Sequence, residues 1–268
     1  MARQKGHVKY VGTIGDIRHF KIKGQAGFFA GLIGGPTAEQ IAKDPKFART
    51  RENMNEFGGC ANAAKSVRVV FSEIIKRFAD SQLTGRMTGI MKTINKEDGS
   101  EVRGQRGVLI SLAPQYLKGI EFNKNVSFSG VFNAPYSISP ASDRTGSSLV
   151  IPVFTPRNFV KAPAGATHFR ILNAVGTVAD YLYNSLSKVY EPSQIELNQL
   201  SNVAYSDYLE LTSSPAADIN VVATLPGAPV LTADVTVLNV IGIEFYQQVG
   251  SQFYLFNGGN SAKIERTF

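Results

Sequence analysis

Three histidines, one cysteine and a scatter of carboxylates hold whatever chemistry this 268-residue chain could perform. His168, in the run Thr167-His168-Phe169-Arg170, alternates as in a strand, and with Asp180 and Tyr183 it could form an acid/base site. A lone strand histidine is far more often a satisfied structural residue. Glu191, Glu196 and Glu210 could act as paired glycosidase carboxylates only if the fold brought two of them within about 5 to 10 Å. His7, His19 and His168 are too widely spaced for a metal-ligand cluster, and Cys60 alone can make no intrachain disulfide. Neither the Gly-x-x-x-x-Gly-Lys-Ser/Thr phosphate loop nor the Gly-x-Ser-x-Gly nucleophile elbow occurs. The expectation is a protein with no catalytic residue, no metal and no cofactor.

Charge offers a different kind of chemistry. Residues 1–106 hold 19 Lys and Arg against 10 Asp and Glu, whereas residues 107–268 hold 9 against 11. A basic front suggests nucleic acid, an anionic surface or an acidic patch on a neighbouring subunit. Lys9, Arg18, Lys21 and Lys23 are interleaved with Tyr10, His19 and Phe20, so this arm could neutralise phosphates and stack bases. The same lysines could equally block stray pairing at a sheet edge, or the arm could pair with another subunit's sheet.

A second polar cluster gathers where helical signals begin. Arg49, Arg51, Glu52, Asn53 and Glu56 could dock a neighbour's carboxylates, arginine supplying a bidentate fork, or form a solvated face with local ion pairs. Further on, Gly58-Gly59 interrupts an apolar periodicity at about 1 kcal/mol per glycine relative to alanine. The pair predicts a kink or a close crossing by another chain.

The stretch Asp44-Pro45-Lys46-Phe47-Ala48-Arg49-Thr50-Arg51-Glu52-Asn53-Met54-Asn55-Glu56-Phe57-Gly58 resembles a group of hypothetical proteins common in Bacteroidota genomes. The group is similar in having an N-terminal segment like Val11-Gly12-Thr13-Ile14-Gly15, this arginine-rich helix start and a β-rich remainder. The likeness is best over the first 70 to 80 residues. It implies a lineage and carries over no catalytic residue.

The elements that must position these groups read as follows. Gly15-Asp16 is a tight turn joining strands over Lys9 to Ile14 and Ile17 to Lys23. Thr37 with Gln40 makes a capping box, and Asp44-Pro45 sets an N-cap before a proline at the first helical position. Apolar spacing from Phe47 to Phe78 predicts one helix running to about Asp80, roughly 50 Å long, and a second from Ser81 to about Lys96. Beyond Gly107 the spacing of strands and turns predicts an antiparallel sandwich, with strands at Val108 to Leu112, Val126 to Phe132, Leu149 to Phe154, Thr167 to Asn173 and Val175 to Tyr183. Further strands are expected at Val203 to Thr212, Asn220 to Leu225, Asp234 to Gln247, Gln252 to Phe256 and Ala262 to Thr267.

The expected fold class is therefore α+β: a basic β-hairpin arm over 1–36, a helical hairpin over 37–100, and an immunoglobulin-like or jelly-roll β-sandwich over 101–268. No run is long and apolar enough for a membrane span. The basic N-terminus is a poor signal peptide, which predicts an unprocessed start and a chain that is cytoplasmic when made. With no catalytic constellation, the preferred reading is a non-enzymatic subunit that self-associates into a filament, tube or shell. Its contacts would be Tyr10, Phe20, Arg49, Arg51, Glu52, Gly58 and Gly59, and its partner itself. The runner-up is a nucleic-acid-binding or virion-like component using the basic arm. A glycan-binding module is third, weakened by the absence of Trp.

Overall fold

A computed structural model describes residues 1–268, which divide into two compact units, Met1–Arg51 and Glu52–Phe268. These units differ from the expected segments 1–36, 37–100 and 101–268. The reason is that the apolar sides of the helices after residue 52 are buried in the same core as the strands.

The first unit is a four-stranded antiparallel sheet followed by a short helix. Its strands are β1 (Ala2–Arg3), β2 (Gly12–Ile14), β3 (Ile17–Phe20) and β4 (Phe29–Leu32), in the order β1-β4-β3-β2. The hairpin turns at Gly15-Asp16, with Ile14 opposite Ile17 and Gly15 at φ +54. That left-handed φ costs glycine little. Helix α1 (Ala38–Lys43) opens on the expected capping box: Gln40 N–H donates to Thr37 Oγ1 at 3.1 Å, and Thr37 N–H to Gln40 Oε1 at 2.8 Å. Asp44 caps the 3₁₀ turn Pro45–Phe47 by accepting from Lys46 N–H at 2.9 Å.

Helix α2 (Ala48–Val70) runs without interruption through Gly58-Gly59, so the expected kink is absent there. The break falls instead at Phe71 (φ −108, ψ 28), and α3 (Ser72–Phe78) follows, burying Ile74 and Phe78. The single helix expected to Asp80 is thus two, and α4 (Leu83–Glu97) packs Leu83, Met87, Met91 and Ile94 into the core as its spacing predicts. Residues Val126 to Phe132 are not a strand. Ser127 and the Glu121 carboxylate accept the N–H groups of Gly130 (3.2 Å) and Phe128 (3.1 Å), and these local bonds start the short α5 (Phe128–Val131) in place of a ladder. Val108 to Leu112 contributes only a bridge, Val108 to Tyr181.

The remaining elements are β5 (Ser137–Pro140), β6 (Gly146–Ile151), α6 (Pro156–Phe159), β7 (His168–Ala179), β8 (Tyr181–Asn184), β9 (Val189–Pro192), β10 (Ser201–Tyr205), β11 (Leu209–Glu210), β12 (Ile219–Thr224), β13 (Val235–Val249), β14 (Gln252–Leu255) and β15 (Ser261–Thr267). A large antiparallel sheet runs β10-β7-β13-β14, with β11 also on β7 and β15 on β13; a small sheet runs β12-β6-β5, and β8 and β9 form a ribbon. Leu172, Ala174, Leu238 and Val240 face helices α2 to α4, while Phe169, Ile171, Ile241 and Ile243 face Leu149, Ile151 and Val221 of the small sheet. The second unit is therefore three layers: helices, large sheet, small sheet. The α+β expectation with a sandwich-like region holds. With both faces covered, β7 is buried almost throughout, so it reads as a continuous apolar run and was divisible by eye into two strands.

Candidate assembly interface

The register of the N-terminal sheet sorts its side chains onto two faces. Ile14, Ile17 and Leu32 are directly opposite one another and form a cross-strand row, 57%, 44% and 80% exposed. Arg3, Arg18, Phe20 and Phe29 lie on the other face. There the Phe20 and Phe29 rings stack at 6.2 Å and the Arg18 guanidinium lies 5.7 Å over Phe20. Lys21 Nζ stands 4.5 Å from the Phe28 ring, and the Tyr10 ring meets His19 edge-on at 5.8 Å. Lys9 directs its ammonium at the carbonyls of Gln4 (2.7 Å) and Gly6, folding the segment before β2 onto itself. Lys23 is exposed. No residue of 1–51 is buried. A sheet of this size needs an apolar face covered to be stable by itself, and this one has neither face covered to that degree.

The cluster at the start of α2 is used differently from the docking role expected of it. Arg51 donates to the carbonyls of Ile41 (2.7 Å) and Asp44 (2.9 Å), tying off the end of α1. Glu52 lies 3.5 Å from Arg103 Nε, and its stem packs on Gly104. Glu56 is fully buried, gripped by Arg106 through Nε and Nη2 (both 2.8 Å), by Lys92 and by the N–H of Gly104 at 2.7 Å. Burial raises its pKa, but the bonds from Arg106, Lys92 and Gly104 outweigh it and hold the carboxyl at about 2. One turn on, burial pushes the Cys60 thiol up to about 11, which leaves it an inert core residue. Gly59 is buried against the Tyr190 ring of the same chain, so the expected crossing of a neighbouring backbone there is corrected to an intrachain contact. Gly58 is open, beside Met54 and Phe57, which are 59% and 58% exposed. Arg49 is exposed in the first turn.

The acid/base group does not come together. His168 and Asp180 lie at opposite ends of β7, and twelve residues at about 3.3 Å each separate them by roughly 40 Å. His168 Nδ1 is 2.9 Å from Thr167 Oγ1 with its ring against Phe253, Asp180 accepts from Ser111 N–H at 2.8 Å, and Tyr183 packs on Tyr190. Glu191 accepts from Asn184 and Ser187, both at 2.9 Å, and Glu210 from Ser213 at 2.8 Å; Glu196 is exposed in the loop before β10.

Sequence reasoning missed the polar group around β13. Glu244 is fully buried, bonded to Arg77 of α3 at 2.9 Å and to the Tyr246 hydroxyl. Opposite it on β7, Arg170 is sandwiched between the Tyr205 and Tyr208 rings (4.6 and 4.7 Å), and Tyr208 stacks on Phe253 at 3.9 Å. Alternation of Glu244 with Tyr246 was the only available signal.

No helix is long and apolar enough to cross a membrane. The chain matches no known protein family, no curated protein and no solved structure.

Proposed function

We propose that this protein is a non-enzymatic structural subunit that self-assembles, into a filament, tube or shell, through its N-terminal sheet. One observation carries the reading: residues 1–51 include no buried residue, yet they bear the aliphatic row Ile14, Ile17 and Leu32 on an ordered sheet. Apolar surface covered by a partner is worth about 25 cal/mol per Å², so a partner supplies the layer this sheet lacks. The second unit has its own three-layer core. The helix positions contribute less than the sequence suggests, since Arg51, Glu52 and Gly59 are engaged within the chain. Amide hydrogen exchange over a dilution series tests the reading. Protection of residues 12–32 is expected to rise with protein concentration, and protection independent of concentration contradicts it.

A further inference from the structure

Charge is polarised along this chain in a way the overall +7 conceals. Residues 1–51 carry ten Lys and Arg against three Asp and Glu, net +7, whereas residues 189–262 carry seven Asp and Glu and no Lys or Arg, net −7. Of those seven acids, Glu196, Asp207, Glu210 and Asp218 are exposed. Three of the four gather around β11. Strands β10 and β11 form one edge of the large sheet, with no strand beyond them. Between residues 206–209 and the loop leading into β12 lies a groove of about 360 Å³. Leu209, Pro215 and Ile219, which are buried or half-buried, share its lining with the exposed carboxylates of Asp207 and Asp218, and no basic residue lines it.

We infer that this groove receives the N-terminal sheet of a second copy of the chain, by the face that bears Arg3, Arg18, Phe20 and Phe29. The inference rests on the assembly reading above and assigns a partner surface to the face of the sheet opposite the Ile14, Ile17 and Leu32 row, which remains a separate contact. That face pairs cations with rings, and the groove pairs carboxylates with an apolar lining, so charge and apolar surface match together. Arg18, Asp207, Glu210 and Asp218 are all exposed in the single chain, which leaves them to meet across molecules. Like charges would repel if two grooves or two arms met, so the contact is head-to-tail, and a head-to-tail contact that does not close into a ring propagates as a filament.

Charge reversal in three chains tests this. The first carries Arg3→Glu and Arg18→Glu, the second Asp207→Lys and Glu210→Lys, and the third all four changes. Asp218 is left alone because it accepts the Val153 N–H at 3.1 Å. Sedimentation velocity at low salt, with circular dichroism as the folding control, is expected to show the wild type assembled and each of the first two chains monomeric alone. An equimolar mixture of those two, and the third chain by itself, should regain assembly. If the groove-reversed chain assembles like wild type while deletion of residues 1–34 abolishes assembly, the groove is overturned and the assembly reading stands. If the third chain is folded but monomeric, the groove is likewise overturned. A wild type that is monomeric at every concentration overturns both.

Discussion

Gly59 of α2 presses against the ring of Tyr190 of β9: a β-carbon at position 59 would stand 2.5 Å from Tyr190 Cγ and 2.6 and 2.7 Å from Cδ1 and Cδ2. The tyrosine is pinned from its other end, where its hydroxyl donates to the Arg106 carbonyl at 2.9 Å. It cannot slide aside without giving up that bond.

The two neighbouring glycines therefore answer substitution in opposite directions. Gly58→Ala, with open space around it, is expected to stabilise by about 1 kcal/mol through helix propensity. Gly59→Ala is expected to destabilise by about 1–3 kcal/mol, because the added methyl overpacks a closed contact. Urea unfolding of the two single variants, followed by circular dichroism, checks this, and equal effects of the same sign would contradict it.

Acid should unfold the second unit through Glu56. Its pKa of about 2 lies below the ordinary 4.5 for a glutamate, so its charged form stabilises the fold. That contribution, about 3 kcal/mol, is complete above pH 4.5 and is lost as pH falls toward 2. Glu56→Gln is expected to remove this part of the acid transition and to lower stability at neutral pH, because Arg106 and Lys92 lose their shared anion. Thermal midpoints of both proteins from pH 7 to pH 2 should converge at the acid end. Parallel curves would contradict the assignment.

Between the two sheets a polar layer interrupts the apolar core. Asn239 Nδ2 lies 2.6 Å from Asn173 Oδ1 and 2.9 Å from Ser147 Oγ, and Asn173 Nδ2 donates to the carbonyls of Ser147 (3.0 Å) and Val221 (2.9 Å). These bonds tie the small sheet to β7 and β13. Asn239→Leu removes the shorter of the two bonds to Asn173 Oδ1, leaving only the Ser147 hydroxyl at 3.2 Å, and is expected to destabilise by about 1–3 kcal/mol. Changing both asparagines to Leu should cost less than the sum of the two single changes, measured as a double-mutant cycle by denaturant unfolding.

What could be read from the residues was mostly local. Gly15-Asp16, Thr37 with Gln40, and Asp44-Pro45 each act within a few residues, and each forms the turn or cap its side chains dictate. Strands β7 and β13 were visible as apolar runs, but burial on both faces erased the alternation that marks where a strand begins and ends. The N-terminal sheet was legible only as a hairpin, because β1 and β4 are short and pair across intervening loop residues. Glu56 read as one member of a polar cluster that either docks a neighbour or forms a solvated helix face. Its partners Lys92 and Arg106 lie 36 and 50 positions further along, and no local pattern announces them. At Gly58-Gly59 neither the expected kink nor a crossing by another chain occurs; the group that presses on Gly59 is a tyrosine side chain of the same chain, about 130 positions away in sequence.

Sedimentation equilibrium of the full chain against a chain lacking residues 1–34 shows whether the arm holds copies of the chain together. Residues 52–268 keep their three-layer core in the shortened protein, so it should show the full chain's cooperative thermal transition. The full chain's mass is expected to rise with concentration well beyond one subunit while the shortened chain stays at the mass of a monomer. A shortened chain that assembles to the same extent as the full one, or a full chain that remains monomeric throughout, would contradict it.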